Sequence, residues 1–263
     1  MRKAKFYRRW KRRFLAGVAR VENLLGQCLR NGEPDIVHDL RVALRRTRLL
    51  ALVGTPVLGK VSARDFRQWA LKLATALGPV RDYDVTLEWL KAHSPGTRER
   101  LIRQRRARTW REARLKAKAV TAPEWKELRK PNSATARPGR LREKFHKVQS
   151  QICDALDRDA PQFDQLDAAG RHEFRRALRR LRYLRELELS RREQKSDRRL
   201  KRLIAFQETL GEAQNCAVVR AVFSQNSAPS PAELVNLAKA QEQRWLARAQ
   251  RHLAAFMRAR AAE

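Results

Sequence analysis

The chain has 263 residues, with 60 Lys and Arg against 28 Asp and Glu, a formal net charge of +32. Such an imbalance repels itself in a compact state and attracts polyanions, which makes an ordinary metabolic enzyme with a neutral substrate a poor match. With 43% hydrophobic residues and only ten Gly and ten Pro, the composition also excludes a disordered polymer, and the length allows one large core or two moderate ones.

Leu, Ala, Arg, Lys and Glu dominate, and apolar positions recur with helical rather than alternating spacing. In chain order, helices are expected near 4–30, 35–53, 61–77, 80–93 and 97–120. The first opens basic, but Arg20 and Glu22 interrupt its apolar run, so it reads as a helix and not a signal peptide. Asn31-Gly32 and Pro34 turn the chain, with Asp35 as candidate cap of the second helix. The eleven uncharged residues between Arg48 and Lys60 contain Gly54, Pro56 and Gly59 and are too short to span a bilayer. Gly78-Pro79 supplies a helix stop followed by a residue suited to a new first turn. Residues 130–139, with Pro131, Asn132, Ser133, Pro138 and Gly139, read as a linker. Further helices are expected near 140–158, 168–190, 196–210, 213–225 and 231–260.

The linker divides the chain into similar halves, 1–131 and 132–263. His38-Asp39-Leu40-Arg41-Val42-Ala43-Leu44-Arg45-Arg46-Thr47-Arg48 aligns with His172-Glu173-Phe174-Arg175-Arg176-Ala177-Leu178-Arg179-Arg180-Leu181-Arg182, seven of eleven positions being identical at an offset of 134. Leu77-Gly78 aligns with Leu210-Gly211 at 133, and Trp110 with Trp245 at 135. The expected fold is all-α, two pseudo-symmetric helical bundles in tandem.

At about 100° per residue, His38, Arg41, Arg45 and Arg48 fall within about 80° of arc, a column of cations about 15 Å long. Leu40, Ala43, Leu44 and Thr47 occupy a sector that can face the core. His172, Arg175, Arg179 and Arg182 repeat the column against Phe174, Ala177, Leu178 and Leu181. Solvated helices normally mix signs at i,i+4, because like charges there repel by about 0.2–0.5 kcal/mol. Arg41–Arg45 and Arg175–Arg179 are such like-sign pairs, and the acids inside the stripes, Asp39 and Glu173, lie in or near the first turn, where they favour the helix dipole. Repetition of a costly pattern points to a ligand. Guanidinium forks match phosphate oxygens, and two stripes facing each other would form a central basic channel for a linear polyanion.

The HxxRVxxRRxR pattern of 38–48, its variant at 172–182 followed by Tyr183, and LGPVRDYDV at 77–85 with its degenerate copy LGEAQNCAV at 210–218 resemble the CHAD family, the conserved histidine α-helical domain. The resemblance covers nearly the whole chain. It implies two four-helix bundles binding inorganic polyphosphate along basic residues between them, in the cytoplasm at polyphosphate granules; no base, nucleophile or metal cluster for phosphoanhydride chemistry is found, so the binding is expected to be non-enzymatic. By motif position, the implied contacts are His38, Arg41, Arg45, Arg46 and Arg48, then His172, Arg175, Arg179, Arg180 and Arg182. Lys72, a turn and a half before Gly78, and Lys201 and Arg202 in the comparable stretch of the second copy, are further candidates. The copies differ where Asn215 and Ala217 stand opposite Asp82 and Asp84. No acidic alternating strands of the triphosphate-tunnel type occur, so the chain reads as a stand-alone module.

Other chemistry finds little support. The three cysteines form no Cys-x-x-Cys pair and suit a reducing compartment, and the five histidines show no metal-ligand spacing. Asp82 and Asp84 near a helix start read as structural rather than as a Mg²⁺ site. No cofactor is expected, because no P-loop, Rossmann or kinase motif is present. Nucleic acid is the competing ligand, but the stripes lack the exposed aromatics on which bases stack. The six tryptophans read as core or bundle-end packing.

Overall fold

The computed structural model describes residues 3–96, 98–123, 125–129, 138–224 and 232–261. Among them there is no β-strand, and the fold is all-α. The helices are α1 (Lys3–Asn31), α2 (Pro34–Val53), α3 (Thr55–Leu58), α4 (Lys60–Ala76), α5 (Gly78–His93), α6 (Glu99–Ala119), α7 (Trp125–Arg129), α8 (Pro138–Asp159), α9 (Ala168–Glu188), α10 (Arg191–Ser196), α11 (Arg198–Ser224) and α12 (Ala232–Ala261), with a 3-10 turn at Phe163–Gln165. Most of the expected linker, 130–137, lies outside the described residues. Among the described residues, no helix is long and apolar enough to cross a membrane.

Contacts divide the chain into two compact units, Met1–Leu87 with Gly96–Val148, and Glu88–Pro95 with Gln149–Glu263. The sequence repeat reappears as a repeat of elements. α1, α2, α4 with α5, and α6 recur in order as α8, α9, α11 and α12.

One expected break is absent. The helix expected to end near Gly211 instead continues as α11 from Arg198 to Ser224. The cause is a single residue. Pro79 has no N–H to donate and its ring excludes the carbonyl four residues earlier, so α4 ends at Ala76. Glu212 stands in its place in the second copy and carries neither restriction. Gly211 is thus left inside a helix, where glycine costs about 1 kcal/mol relative to alanine. A Cβ built there would meet Arg175 Nη2 at 3.9 Å, an ordinary contact. Gly211→Ala is therefore expected to raise stability by about 0.5–1 kcal/mol in a denaturant titration, and a loss would show that the arginine cannot give way.

A second expectation is corrected at α2. Pro34 occupies the first turn and the residue before the helix is Glu33, without a side-chain cap. Asp35 lies two residues past the cap and is the acid of the first turn.

The core of unit 1 is an aromatic column. Phe6 meets Phe145 edge-on at 5.0 Å, Trp10 stacks on Phe14 at 5.4 Å, and Phe66 and Trp69 of α4 continue it to Trp125 of α7. Trp10 Nε1 donates to the Leu50 carbonyl at 2.9 Å, which ties α1 to α2. The indole lies so close to Gly54 that a Cβ there would sit 2.1 Å from its ring. Unit 2 packs Phe163, Phe174, Phe206 and Phe256 in a comparable chain.

Asp197 starts α11. Its carboxylate accepts the Leu200 N–H at 2.6 Å and pairs with Arg185 of α9 at 2.6 Å. Burial alone would push this carboxyl up, but the hydrogen bonds from Arg185 and Leu200 win and hold it below the usual carboxylate range. Its contribution is fully present above the ordinary aspartate value of about 4 and is lost as pH falls through the depressed folded value. Asp197→Asn should therefore lower stability at pH 7 and show a shallower acid loss below about pH 4 than the parent. Parallel acid titrations of the two proteins measure this.

Candidate functional site

Both cation columns form as helical geometry requires. On α2 the inner sector is closed: Leu40 and Leu44 are buried, and so are Ala43 and Thr47. This rotation leaves His38, Arg41, Arg45 and Arg48 half-buried beside the core, while Arg46 is exposed on the far flank. On α9, Phe174, Leu178 and Leu181 are buried, Arg175, Arg179 and Arg182 are half-buried, and His172 and Arg180 are exposed. Lys72 on α4 and Lys201 and Arg202 at the start of α11 are exposed. Among the described residues, no hydrogen bond ties these three to either column.

The two acids inside the stripes each pair with an arginine outside the column. Asp39 turns to α1 and pairs with Arg20 at 2.6 Å, and Glu173 pairs with Arg176 at 2.5 Å, outside the column. Arg182 is different. It pairs with Glu186 at 2.9 Å and donates to Gln207 Oε1 at 3.1 Å, so it anchors α9 on α11 as well as ending the column.

Arg41 shows what the column costs. Its Nη1 donates to the carbonyl of Ala74, one of the last carbonyls of α4 and so without an intrahelical partner. The guanidinium thereby caps the helix end that Pro79 creates. Burial, and next Arg45 beside it, lower the affinity of Arg41 for its proton to a pKa of about 10, against the pull of Asp82. The group is charged at neutral pH, but its charge is disfavoured where it stands. Burial also pushes the facing Asp82 carboxyl up, with Arg41 and Arg81 opposing. In unit 2, Arg175 lies beside Gly211 as Arg41 lies beside Gly78. There α11 is unbroken and has no end to cap, and Asn215 replaces Asp82. His172 Nδ1 is 3.3 Å from Gln214 Oε1.

Asp84 has a separate task. It is buried and pairs with Arg106 of α6 at 2.5 Å, while Arg106 Nη2 donates to the Gly32 carbonyl at 2.6 Å. Gly32 has φ +62°, and the Trp110 ring packs where a Cβ would project. One turn further on, Arg114 Nε donates to the Leu29 carbonyl at 2.7 Å. Thus α6 clamps the α1–α2 turn with three side chains. At the repeat offsets, Asp84 becomes Ala217 and Arg106 becomes Gln241. Both members of the ion pair are replaced, which explains the degenerate second motif. Among the described residues, no group of three or more His, Cys, Asp or Glu could hold a metal ion.

Sequence reasoning missed Asp82 as the acid facing Arg41, Gln214 beside His172, and Gln207 beside Arg182. Gln214 stands opposite Arg81 in the repeat, which was the available signal. The other two depend on which helix packs against the column.

Fold and columns together define an all-α protein of two units, each presenting a ladder of half-buried arginines. The CHAD domain family model matches residues 13–224, and the chain belongs to that family, whose members are binding modules associated with polyphosphate. Among solved structures, the chain is similar to the CHAD domain from the plant Ricinus communis, with 21% identity, 94% of this chain and 89% of that one covered, and a TM-score of 0.62. It is also similar to PptA from Streptomyces chartreusis, with 16% identity, coverages of 95% and 98%, and a TM-score of 0.61. No curated protein matches the sequence.

Proposed function

We propose that this protein is a non-enzymatic binding module for inorganic polyphosphate. The ligand runs along His38, Arg41, Arg45, Arg46 and Arg48 of α2 and along His172, Arg175, Arg179, Arg180 and Arg182 of α9, with Lys72, Lys201 and Arg202 as outlying cations. The supporting observation is the alignment of half-buried, like-charged arginines, Arg41, Arg45 and Arg48 on α2 and Arg175, Arg179 and Arg182 on α9, in which burial and Arg45 together lower the Arg41 pKa to about 10. A phosphate chain beside such a column relieves both effects, because it supplies opposite charge and hydrogen-bond acceptors together. Half-burial also pre-orders the guanidinium groups, so less side-chain entropy is lost on binding. In the cell the reading places the protein in the cytoplasm at polyphosphate granules.

A titration with polyphosphates of graded length, alongside single- and double-stranded DNA and heparin at two salt concentrations, tests it. Log affinity for polyphosphate should fall linearly with log salt, and affinity should rise with chain length until a ladder is filled. DNA at equal phosphate concentration and physiological salt should displace little. Full displacement by DNA would remove the specificity for polyphosphate, and orthophosphate release in the presence of Mg²⁺ would make the protein an enzyme.

A further inference from the structure

The three tryptophans assigned to α5, α6 and α12 do not share one role. Trp110 on α6 packs over Gly32 and closes a turn. Trp245, its counterpart on α12, instead borders a cavity of about 400 Å³ within unit 2. That volume is in the range of small-molecule sites, about 300–1,000 Å³.

The cavity combines flat aromatic walls with cations. Trp89, in the last part of α5, stacks with His93 at 4.8 Å and 23°. Its Nε1 donates to Gln241 of α12 at 2.8 Å, which fixes the indole plane. On α12, the Arg248 guanidinium lies over the Trp245 ring, 5.5 Å from its centre. Arg244, Arg248 and Arg251 line the same space. At i, i+4 and i+7 they fall within about 60° of arc, a third column outside the repeated motif. Among the described residues, none of the three is ion-paired with a carboxylate. Glu242, next to them in sequence, is engaged by Arg220 at 2.8 Å. Glu212 is the carboxylate at the cavity wall.

Trp89 itself is buried and backs His93, so the imidazole and the Trp245 indole are the rings a ligand can reach, and inorganic phosphate has no use for either. A ligand that satisfies both parts carries a planar ring and several negative charges. We propose that this cavity binds a nucleoside triphosphate, with the base against His93 and Trp245 and the phosphates on Arg244, Arg248 and Arg251. Glu212 accepts hydrogen bonds from the amino or hydroxyl groups of the nucleoside. The site shares no residue with the ladders on α2 and α9, so it stands independently of the polyphosphate reading.

Isothermal titration of the full chain with ATP at physiological salt tests the proposal. Two variants probe the site: Trp245→Leu, which keeps apolar bulk at a half-buried position, and Arg248→Gln. Each should weaken ATP binding about tenfold, the scale of one stacked base or one charge-assisted contact. Circular dichroism checks that helix content is kept. Inorganic tripolyphosphate, with similar charge but no base, should compete at least tenfold more weakly than ATP itself. The double variant Arg45→Glu, Arg179→Glu should bind ATP as the parent does, whatever becomes of its polyphosphate binding. The proposal is overturned by a parent protein that does not bind ATP, by unchanged affinity in both site variants, or by equal competition from tripolyphosphate. Capture of a single-stranded oligonucleotide through Trp245 and Arg248 more tightly than ATP would also overturn it, in favour of a strand.

Discussion

Arg45→Glu combined with Arg179→Glu is expected to weaken polyphosphate binding at least about a hundredfold. The two residues occupy the same place in each ladder, half-buried and next to Arg41 and Arg175. Each reversal removes a charge-assisted contact of about 1.5–3 kcal/mol, and two such losses amount to a factor of a hundred or more. Repulsion from the new carboxylates adds to it. The comparison that gives the result meaning is Arg103→Glu with Arg108→Glu, which makes the same change in net charge. Those residues are 56% and 82% exposed and, among the described residues, pair with the helical neighbours Glu99 and Glu112, so reversal should cost less than about tenfold. Arg106 lies between them in sequence but is no control, since it belongs to the buried clamp. Equal losses in the two double variants would mean diffuse attraction to a basic surface and would remove the ladders as sites. Fluorescence anisotropy with labelled polyphosphate at fixed salt measures both.

Asp84→Ala should give the largest loss of stability of any substitution considered, about 3 kcal/mol or more. The Asp84 side chain is fully buried and Arg106 is 15% exposed, so removing the carboxylate leaves a nearly buried guanidinium without its counter-charge. The Gly32 carbonyl alone cannot replace it. A loss of this size corresponds to a fall in melting temperature of roughly 10 °C. The second copy suggests the compensating change. Asp84→Ala with Arg106→Gln reproduces the Ala217 and Gln241 pair and should recover much of the loss, because no buried charge is then stranded. A double-mutant cycle by chemical denaturation gives the coupling directly. A single-variant loss below about 1 kcal/mol would show that the clamp contributes little. Polyphosphate affinity should change little in either variant once the protein is folded, which separates the clamp from the ladders.

These two outcomes divide along what each level of structure controls. Helices, their order, the tandem repeat and the angular grouping of His38, Arg41, Arg45 and Arg48 were legible in the sequence. They follow from propensity, periodicity and offset, which are properties of neighbouring residues. Even the stop at Gly78 was readable, because a proline acts on its own helix. The same logic failed at Gly211, where the glycine resembled a stop and the proline that enforces one was missing.

Tertiary structure decided the rest, because it sets which side chains from distant segments share a dielectric environment. Nothing near Arg41 in sequence says that it caps Ala74, loses solvent and faces Asp82. Nothing near Asp84 announces Arg106, and the tryptophans of the two copies look alike until one is seen under a turn and the other beside a cavity. Sequence determined that this chain would build arginine ladders on helices. Packing determined which of those arginines cap or clamp the fold, as Arg41 and Arg106 do, since burial and the position of each carboxylate depend on contacts between helices rather than along them.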